Sequence, residues 1–270
     1  MALTALLSRD PGVRSAVPEQ LPDGDEVLVA PSARRLQQYL LNRPVTSVLV
    51  DISALPGTAN RAEALRPLRR GFPRTPIVLL ARLGTDPAVL FDLGRTGLRH
   101  LVMVYADDWG LELRRVLAEA AEDSPPALVA RRLAQYVPPR ELEVLRRALE
   151  SLHRRPTAEE FAREVGVTRP FLSECLKATG LPSVGHLLLW SRLFHAGHWL
   201  EEPARSGESI SRQLEYSSGS AFRRALKHYT GATPSEIARG GGLSMVMREF
   251  LEGMKKEGKV EIEDGKSSVA

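Results

Sequence analysis

Five apolar runs punctuate the first 104 residues: ALTALLS (2–8), EVLVA (26–30), TSVLVDI (46–52), TPIVLLA (75–81) and LRHLVMV (98–104). Helix-like stretches follow them, to about Gln20, then SARRLQQYLLN (32–42), ANRAEALRPLRR (59–70), DPAVLFDLGRTG (86–97) and a segment from about Asp108 to Ala121. Pro67 is expected to shorten the third of these, because an internal proline removes a helix hydrogen bond. Continuous apolar strands alternating with amphipathic helices hide both faces of their strands only in a parallel sheet covered on each side. The expected fold of residues 1–122 is therefore α/β, a doubly wound parallel five-stranded sheet.

The pattern breaks at EDSPPALVA (122–130), where Ser-Pro-Pro marks a linker, 123–138, with a helix following from Ala127. Beyond Pro138-Pro139 the spacing is helical almost throughout, which predicts an all-α domain over 139–240. Thr157 and Glu160 form a capping-box pair at the start of TAEEFAREV, which runs into Gly166-Val167. Thr168 then caps RPFLSECLKAT, which stops at Gly180. About 50 residues later the unit recurs. SISRQLEY (209–216) is a short helix, Ser217-Ser218 cap the next one, and that helix ends at Gly231. Between the two units, SVGHLLLWSRLFHAGHWLEE (183–202) is long enough for roughly 30 Å of helix. One turn of B-DNA spans about 34 Å, so two helices held that far apart could enter adjacent major-groove segments. In the remaining 241–270, LSMVMREFLEGM (243–254) reads as one more amphipathic helix and the charged KKEGKVEIEDGKSSVA as a disordered tail.

On a helix at about 100° per residue, Phe222, Ala225, Leu226 and Tyr229 share one stripe and Ser220, Arg223, Arg224 and Lys227 the opposite side. Arg223 is the candidate for a base-edge contact, since a bidentate guanidinium on guanine is the commonest specific pair. Ser220 can reach a base or a phosphate. Arg224 and Lys227 suit phosphates, and the caps Thr168 and Ser218 place N–H groups near the nucleic-acid backbone. The first unit offers Arg169, Ser173 and Lys177 beside Pro170 and Glu174, a weakly cationic face, so the second unit is expected to supply more of the affinity.

Residues ~139–240 resemble the double helix-turn-helix domain of AraC-type transcription regulators. The most specific match is LEYSSGSAFRRALKHYTGATPSEIAR (214–239), with the aromatic Tyr216, a Ser-rich cap, Phe222 before a basic helix, Gly231 and the Thr233-Pro234-Ser235 exit. The resemblance implies sequence-specific DNA binding and regulation of transcription. Three features depart from it. Glu215 stands where the family has a turn glycine, at a cost of about 1 kcal/mol if φ is positive there. Gly207 stands where an apolar residue opens the helix, and the first recognition helix is one residue short.

Residues ~1–121, through their five repeats and LLSRDPGVR (6–14), resemble the receiver domain of response regulators. Asp51, at the end of the third run, falls where that family accepts phosphate. The acids expected at the end of the first strand read Ser8 and Arg9, with Asp10 beside them. The fourth-strand hydroxyl reads Ala81, and Val104 and Tyr105 stand in place of the lysine. A lone Asp51 does not hold Mg²⁺ in the usual way. A pseudo-receiver is expected, serving dimerisation or partner contact, with Asp51 held by local hydrogen bonds and Arg9 as its pairing candidate.

The net charge is +4 and the pI about 9.4, compatible with a nucleic-acid partner but not diagnostic. The single cysteine, Cys175, excludes an internal disulfide, fits a reducing compartment, and is expected to pack beside Phe171, Leu172 and Leu176. No apolar run approaches a membrane span, and MALTALLSRDPGVR does not read as a secretory signal. His195 and His198 lie one turn apart without a third ligand, so no metal or other cofactor is expected. Gly240-Gly241-Gly242 lacks the lysine and hydroxyl of a phosphate loop and reads as a flexible break. Trp190, Trp199 and Leu187–Leu189 read as core.

The chain is thus expected to be a cytoplasmic, non-enzymatic transcription regulator that binds double-stranded DNA. RNA polymerase or another regulator are further candidate partners, and a homodimer would form through the N-terminal domain. Two other functions stay open: an interaction adaptor with degenerate helix-turn-helix units, and a response regulator switched by phosphorylation of Asp51.

Overall fold

In the computed structural model, which describes residues 2–57 and 61–256, the first 120 residues alternate as expected. The elements are β1 (Leu3–Leu7), α1 (Pro11–Gln20), β2 (Glu26–Ala30), α2 (Ala33–Asn42), β3 (Ser47–Asp51), α3 (Arg61–Gly71), β4 (Ile77–Arg82), α4 (Pro87–Arg95), β5 (His100–Val104) and α5 (Trp109–Ala120). The sheet is parallel, in the order β2-β1-β3-β4-β5, with Leu6 opposite Val29 on one side and Leu49 on the other. This is the flavodoxin-like order, shared by receiver domains. Alternate residues of the central strands feed two cores. Ala5, Val48 and Val50 pack with Leu36 and Leu40 of α2, Leu65 and Leu68 of α3 and Leu93 of α4. Leu6 and Leu49 pack with Val13 and Val17 of α1 and Leu113 and Val116 of α5. Helices therefore cover both faces, which is why β1 and β3 are buried along their whole length. Pro67 lies inside α3 rather than ending it, because Leu65 and Leu68 on either side of it are held in the core.

Nine helices follow among the described residues: α6 (Pro125–Leu133), α7 (Pro139–Glu150), α8 (Ala158–Glu164), α9 (Arg169–Ala178), α10 (Val184–Trp199), α11 (Gly207–Gln213), α12 (Gly219–Thr230), α13 (Pro234–Arg239) and α14 (Leu243–Lys256). The α6 helix starts at Pro125, two residues before the expected Ala127. The α10 helix has 16 residues, about 24 Å at 1.5 Å per residue, shorter than the sequence suggests because Leu200 and Glu201 already turn. The tail beyond Lys256 lies outside the described residues. The three glycines are not a slack joint. Gly241 and Gly242 hold φ of 95° and 54°, and a Cβ on Gly197 of α10 would meet Leu243 Cα at 3.0 Å. The α13–α14 turn thus rests directly on α10.

The chain forms two compact units. One joins the described residues up to Ser124 to His198–Phe222; the other joins Pro125–Gly197 to the described residues from Arg223 on. In the first unit, α11 packs on α2 around a buried ion pair between Arg205 and Glu202, whose side chains are 0% and 1% exposed. Arg205 Nη1 donates to the Leu40 carbonyl (2.6 Å) and to Gln213 Oε1 (2.8 Å), and Gln213 Nε2 donates to the same carbonyl (2.9 Å). Thr75 Oγ1 donates to Glu202 (2.8 Å). The guanidinium lies 4.9 Å from the Trp199 ring and 5.4 Å from Phe72, which accounts for Nη2 having no hydrogen-bond acceptor. The Ala204 N–H donates to the Gly71 carbonyl (3.1 Å). The last-turn carbonyls of α2 and the end of α3, which a helix cannot satisfy internally, are therefore capped by this segment. Burial pulls the Arg205 guanidinium below its ordinary pKa and Glu202 opposes that shift.

In the second unit, His195 is buried and its Nε2–H donates to the Leu149 carbonyl of α7 (3.0 Å). Burial lowers its pKa from 6.5 to about 4. Trp190 packs edge-on against Phe250, with ring centroids 5.0 Å apart, so the aromatic residues of α10 are core as expected.

Two stability measurements follow from these buried groups. Arg205→Met strands the Glu202 carboxylate and is expected to cost about 3–5 kcal/mol in urea unfolding, whereas Arg205→Met/Glu202→Met recovers most of the loss. For His195, the unfolded chain takes up a proton near pH 6.5 and the native state only near 4. Its contribution is complete above pH 6.5 and is lost as pH falls toward 4, by up to roughly 3 kcal/mol. His195→Leu should flatten the thermal midpoint across that window.

Candidate nucleic-acid interface

Both helix-turn-helix turns are built by the same backbone device. In the first, α8 starts in a capping box between Thr157 and Glu160 and ends with Gly166 N–H bonded to the Arg163 carbonyl and Val167 N–H to the Ala162 carbonyl. In the second, Ser206 and Ser209 box the start of α11, two residues ahead of the expected Ser209. Glu215 N–H bonds the Arg212 carbonyl and Tyr216 N–H the Ser211 carbonyl. These paired bonds are the Schellman closure, which needs a left-handed residue at its centre. Gly166 has φ 84° and Glu215 has φ 52°. The position thus does call for a glycine, and the glutamate carries the backbone cost expected of it.

Beyond the second turn, Tyr216 packs on Phe222 (ring centroids 5.4 Å) and Phe222 and Leu226 are fully buried. Burying those two side chains is worth about 1.5–3 kcal/mol each, enough to fix the rotation of α12 about its axis. Tyr229 meets Trp190 edge-on at 5.6 Å. The opposite side of α12 leaves Ser220, Arg223, Arg224 and Lys227 exposed. Ser218 accepts the Ala221 N–H (3.1 Å) and caps the helix.

On α9, Arg169 and Lys177 are exposed and Ser173 is half-buried, its hydroxyl accepting from Val184 N–H (3.4 Å). Thr168 occupies the cap position but its side chain makes no capping bond, a departure from the expected cap. Phe171 is 49% exposed and Cys175 only half-buried, because Leu172 and Leu176 take the inward face of α9. The spacing carries the signal for this, since Phe171 sits one position off the stripe of Leu172 and Leu176.

Carboxylates border the basic surface. Glu208 Oε2 occupies the space that a Cβ on Gly219 would need, 2.2 Å from its ideal position, so a negative charge sits at the start of α12. The Thr233 N–H and hydroxyl hold the Glu236 carboxyl below its usual pKa, with help from Arg239 and Lys227.

Asp51 is buried at the end of β3. Ser8 Oγ donates to it at 2.7 Å, and Ser53 donates through N–H (2.9 Å) and hydroxyl (2.6 Å). Arg9 instead donates to the Pro31 carbonyl (3.5 Å), so the expected Arg9–Asp51 pair does not form. Asp10 caps α1 through Gly12 and Val13 and makes an ion pair with Arg82, whose guanidinium lies 5.8 Å from the Tyr105 ring. A divalent cation does not fit this set. The acid that would share it is bonded to a guanidinium, and hydroxyl and amide donors converge on the other.

Glu215→Gly removes the left-handed strain and should raise stability by roughly 0.5–1 kcal/mol, read from urea midpoints at unchanged slope.

A family model described as a helix-turn-helix domain matches residues 161–240. The match begins inside α8, so α7 lies outside it. No curated protein gives a match. Among solved structures the chain is similar to full-length FixJ from B. japonicum, at 17% identity and a TM-score of 0.40, covering 70% of this chain and 94% of that one. RcsB from Salmonella enterica serovar Typhimurium gives 18% and 0.37, covering 70% and 98%. NtrX from Brucella abortus gives 18% and 0.40, covering 59% and 36%. The receiver-like assignment of the sheet rests on its strand order. Residues 161–240 are therefore similar to a helix-turn-helix domain, a kind of domain with a DNA-binding role in transcription, in keeping with the AraC-type two-unit pattern that the sequence resembles, and the chain also carries a receiver-like parallel sheet.

Proposed function

We propose that the chain is a cytoplasmic, sequence-specific transcription regulator whose two helix-turn-helix units read adjacent major-groove segments of double-stranded DNA, and that it is not an enzyme. The supporting observation is the α12 surface, where buried Phe222 and Leu226 lock the helix with Ser220, Arg223, Arg224 and Lys227 outward. Arg223 reads a base edge, Ser220 a base or phosphate, and Arg224 and Lys227 phosphates, with Ser218 at the helix start. On α9, Arg169, Ser173 and Lys177 contribute orientation, and exposed Phe171 can meet a thymine methyl. In this reading 1–122 is the regulatory domain, 123–138 the linker and 139–240 the DNA-binding domain. RNA polymerase or another regulator is the partner downstream.

A titration of genomic fragments at several salt concentrations tests this. Wild type should show a steep negative slope of log K on log salt. Arg223→Ala/Arg224→Ala should lower affinity and reduce the slope by about 1–2. Absence of binding at low salt would favour the interaction adaptor.

The receiver-like domain acts in this reading as a dimerisation surface without phosphorylation. Among the described residues, five of the six exposed large hydrophobics, Leu83, Phe91, Leu101, Tyr105 and Leu111, lie on or beside α4, β5 and α5, and the sixth is Phe171 of α9. An apolar edge of that kind fits a second copy of the chain. Sedimentation should show a dimer that Phe91→Asp dissociates, and acetyl phosphate with Mg²⁺ should leave the intact mass unchanged. A phosphate adduct lost in Asp51→Asn would establish the phosphorylation switch instead.

A further inference from the structure

The α3 and α4 helices pack side by side, and a groove of about 600 Å³ between them is lined by Arg61, Arg66, Arg69, Arg70 and Arg95. Among the described residues, only Glu63 and Asp92 oppose these five cations in its walls, which leaves three positive charges in excess. Arg66 is paired with Glu63, and Arg61 Nε donates to the Gly57 carbonyl (3.0 Å). No ion pair involves Arg69, Arg70 or Arg95 among the described residues.

Arg69 and Arg70 occupy the last turn of α3, and Arg95 the last turn of α4. Cations there suit the helix dipoles, which explains their charge. It does not explain why cations from both helices converge on one concavity, where their fields add and repel. Arginine forks match phosphate oxygens two at a time. The volume lies in the range of small-molecule sites, whereas a duplex presents its phosphates on a convex surface. Apart from Ala62 and Val89 the lining is polar or charged, with no aromatic ring, so it is phosphate rather than a stacked base that the walls can grip.

We infer that the α3–α4 groove binds a small anion carrying two or more linked phosphates, held chiefly by Arg69, Arg70 and Arg95. This site is separate from the α12 surface and does not depend on DNA being read there.

Calorimetric titration of the full chain at physiological salt tests it, with tripolyphosphate and with a nucleoside triphosphate as probes. Saturable binding near one per chain is expected, weakened at least about tenfold by Arg69→Gln/Arg70→Gln/Arg95→Gln and unchanged by Arg223→Ala/Arg224→Ala. Asp92→Asn removes an opposing charge and should tighten binding, an effect that misfolding cannot mimic. Equal affinity for the two probes would identify the phosphate chain as the whole determinant, and tighter binding of the nucleoside triphosphate would identify a nucleotide as its source; either supports the site. Lack of saturable binding by both probes overturns it. So does loss of binding only in the α12 variant, or a triple variant that weakens duplex DNA binding while phosphate binding persists.

Discussion

The buried pair of Arg205 and Glu202 ties together parts of the chain that lie more than 120 residues apart in sequence. Its members bond to the Leu40 carbonyl of α2, to Thr75 before β4 and to Gln213 of α11. Each charge is desolvated, so neither could stay buried without the other and its hydrogen bonds. Through this pair, the supporting helix of the second helix-turn-helix unit is structurally part of the receiver-like sheet. The same segment satisfies carbonyls at the ends of α2 and α3, so the sheet's own helices rely on it in turn.

That arrangement gives the second turn a reason to tolerate Glu215. A left-handed glutamate costs about as much as one hydrogen bond. The α11 helix is anchored by Gln213 on one side of the turn and α12 by Phe222 on the other, and together these exceed that cost. The exposed face of α12 is consequently fixed in place by packing, while its charge is moderated by Glu208 and Glu236. In the proposed complex with DNA, the direction of the exposed α12 side chains sets sequence preference and their charge the salt-dependent affinity.

In the receiver-like domain, Ser8, Arg9 and Ala81 stand in the sequence at positions where the receiver resemblance implies acids and a hydroxyl. What surrounds Asp51 is tertiary. The Ser8 hydroxyl closes on Asp51 and Arg82 crosses to Asp10, contacts 43 and 72 residues apart that strand pairing creates. Arg9 is excluded because it follows the strand end and turns outward, whereas Ser8 points into the sheet.

Periodicity is a local property, and local properties are what the sequence determined here: the five strands and their order of helices, the duplicated helix-turn-helix units, the stripe of Phe222 and Leu226, and the demand for positive φ at position 215. Helix ends at Pro125, Ser206 and Trp199 were less legible, since capping bonds and packing set them within a residue or two. Tertiary structure alone decided the Arg205–Glu202 pairing, the convergence of five arginines between α3 and α4, and the partner of Asp51. Each of those depends on which surfaces the folded chain brings within a few ångströms, and a linear pattern carries no record of distances across the core.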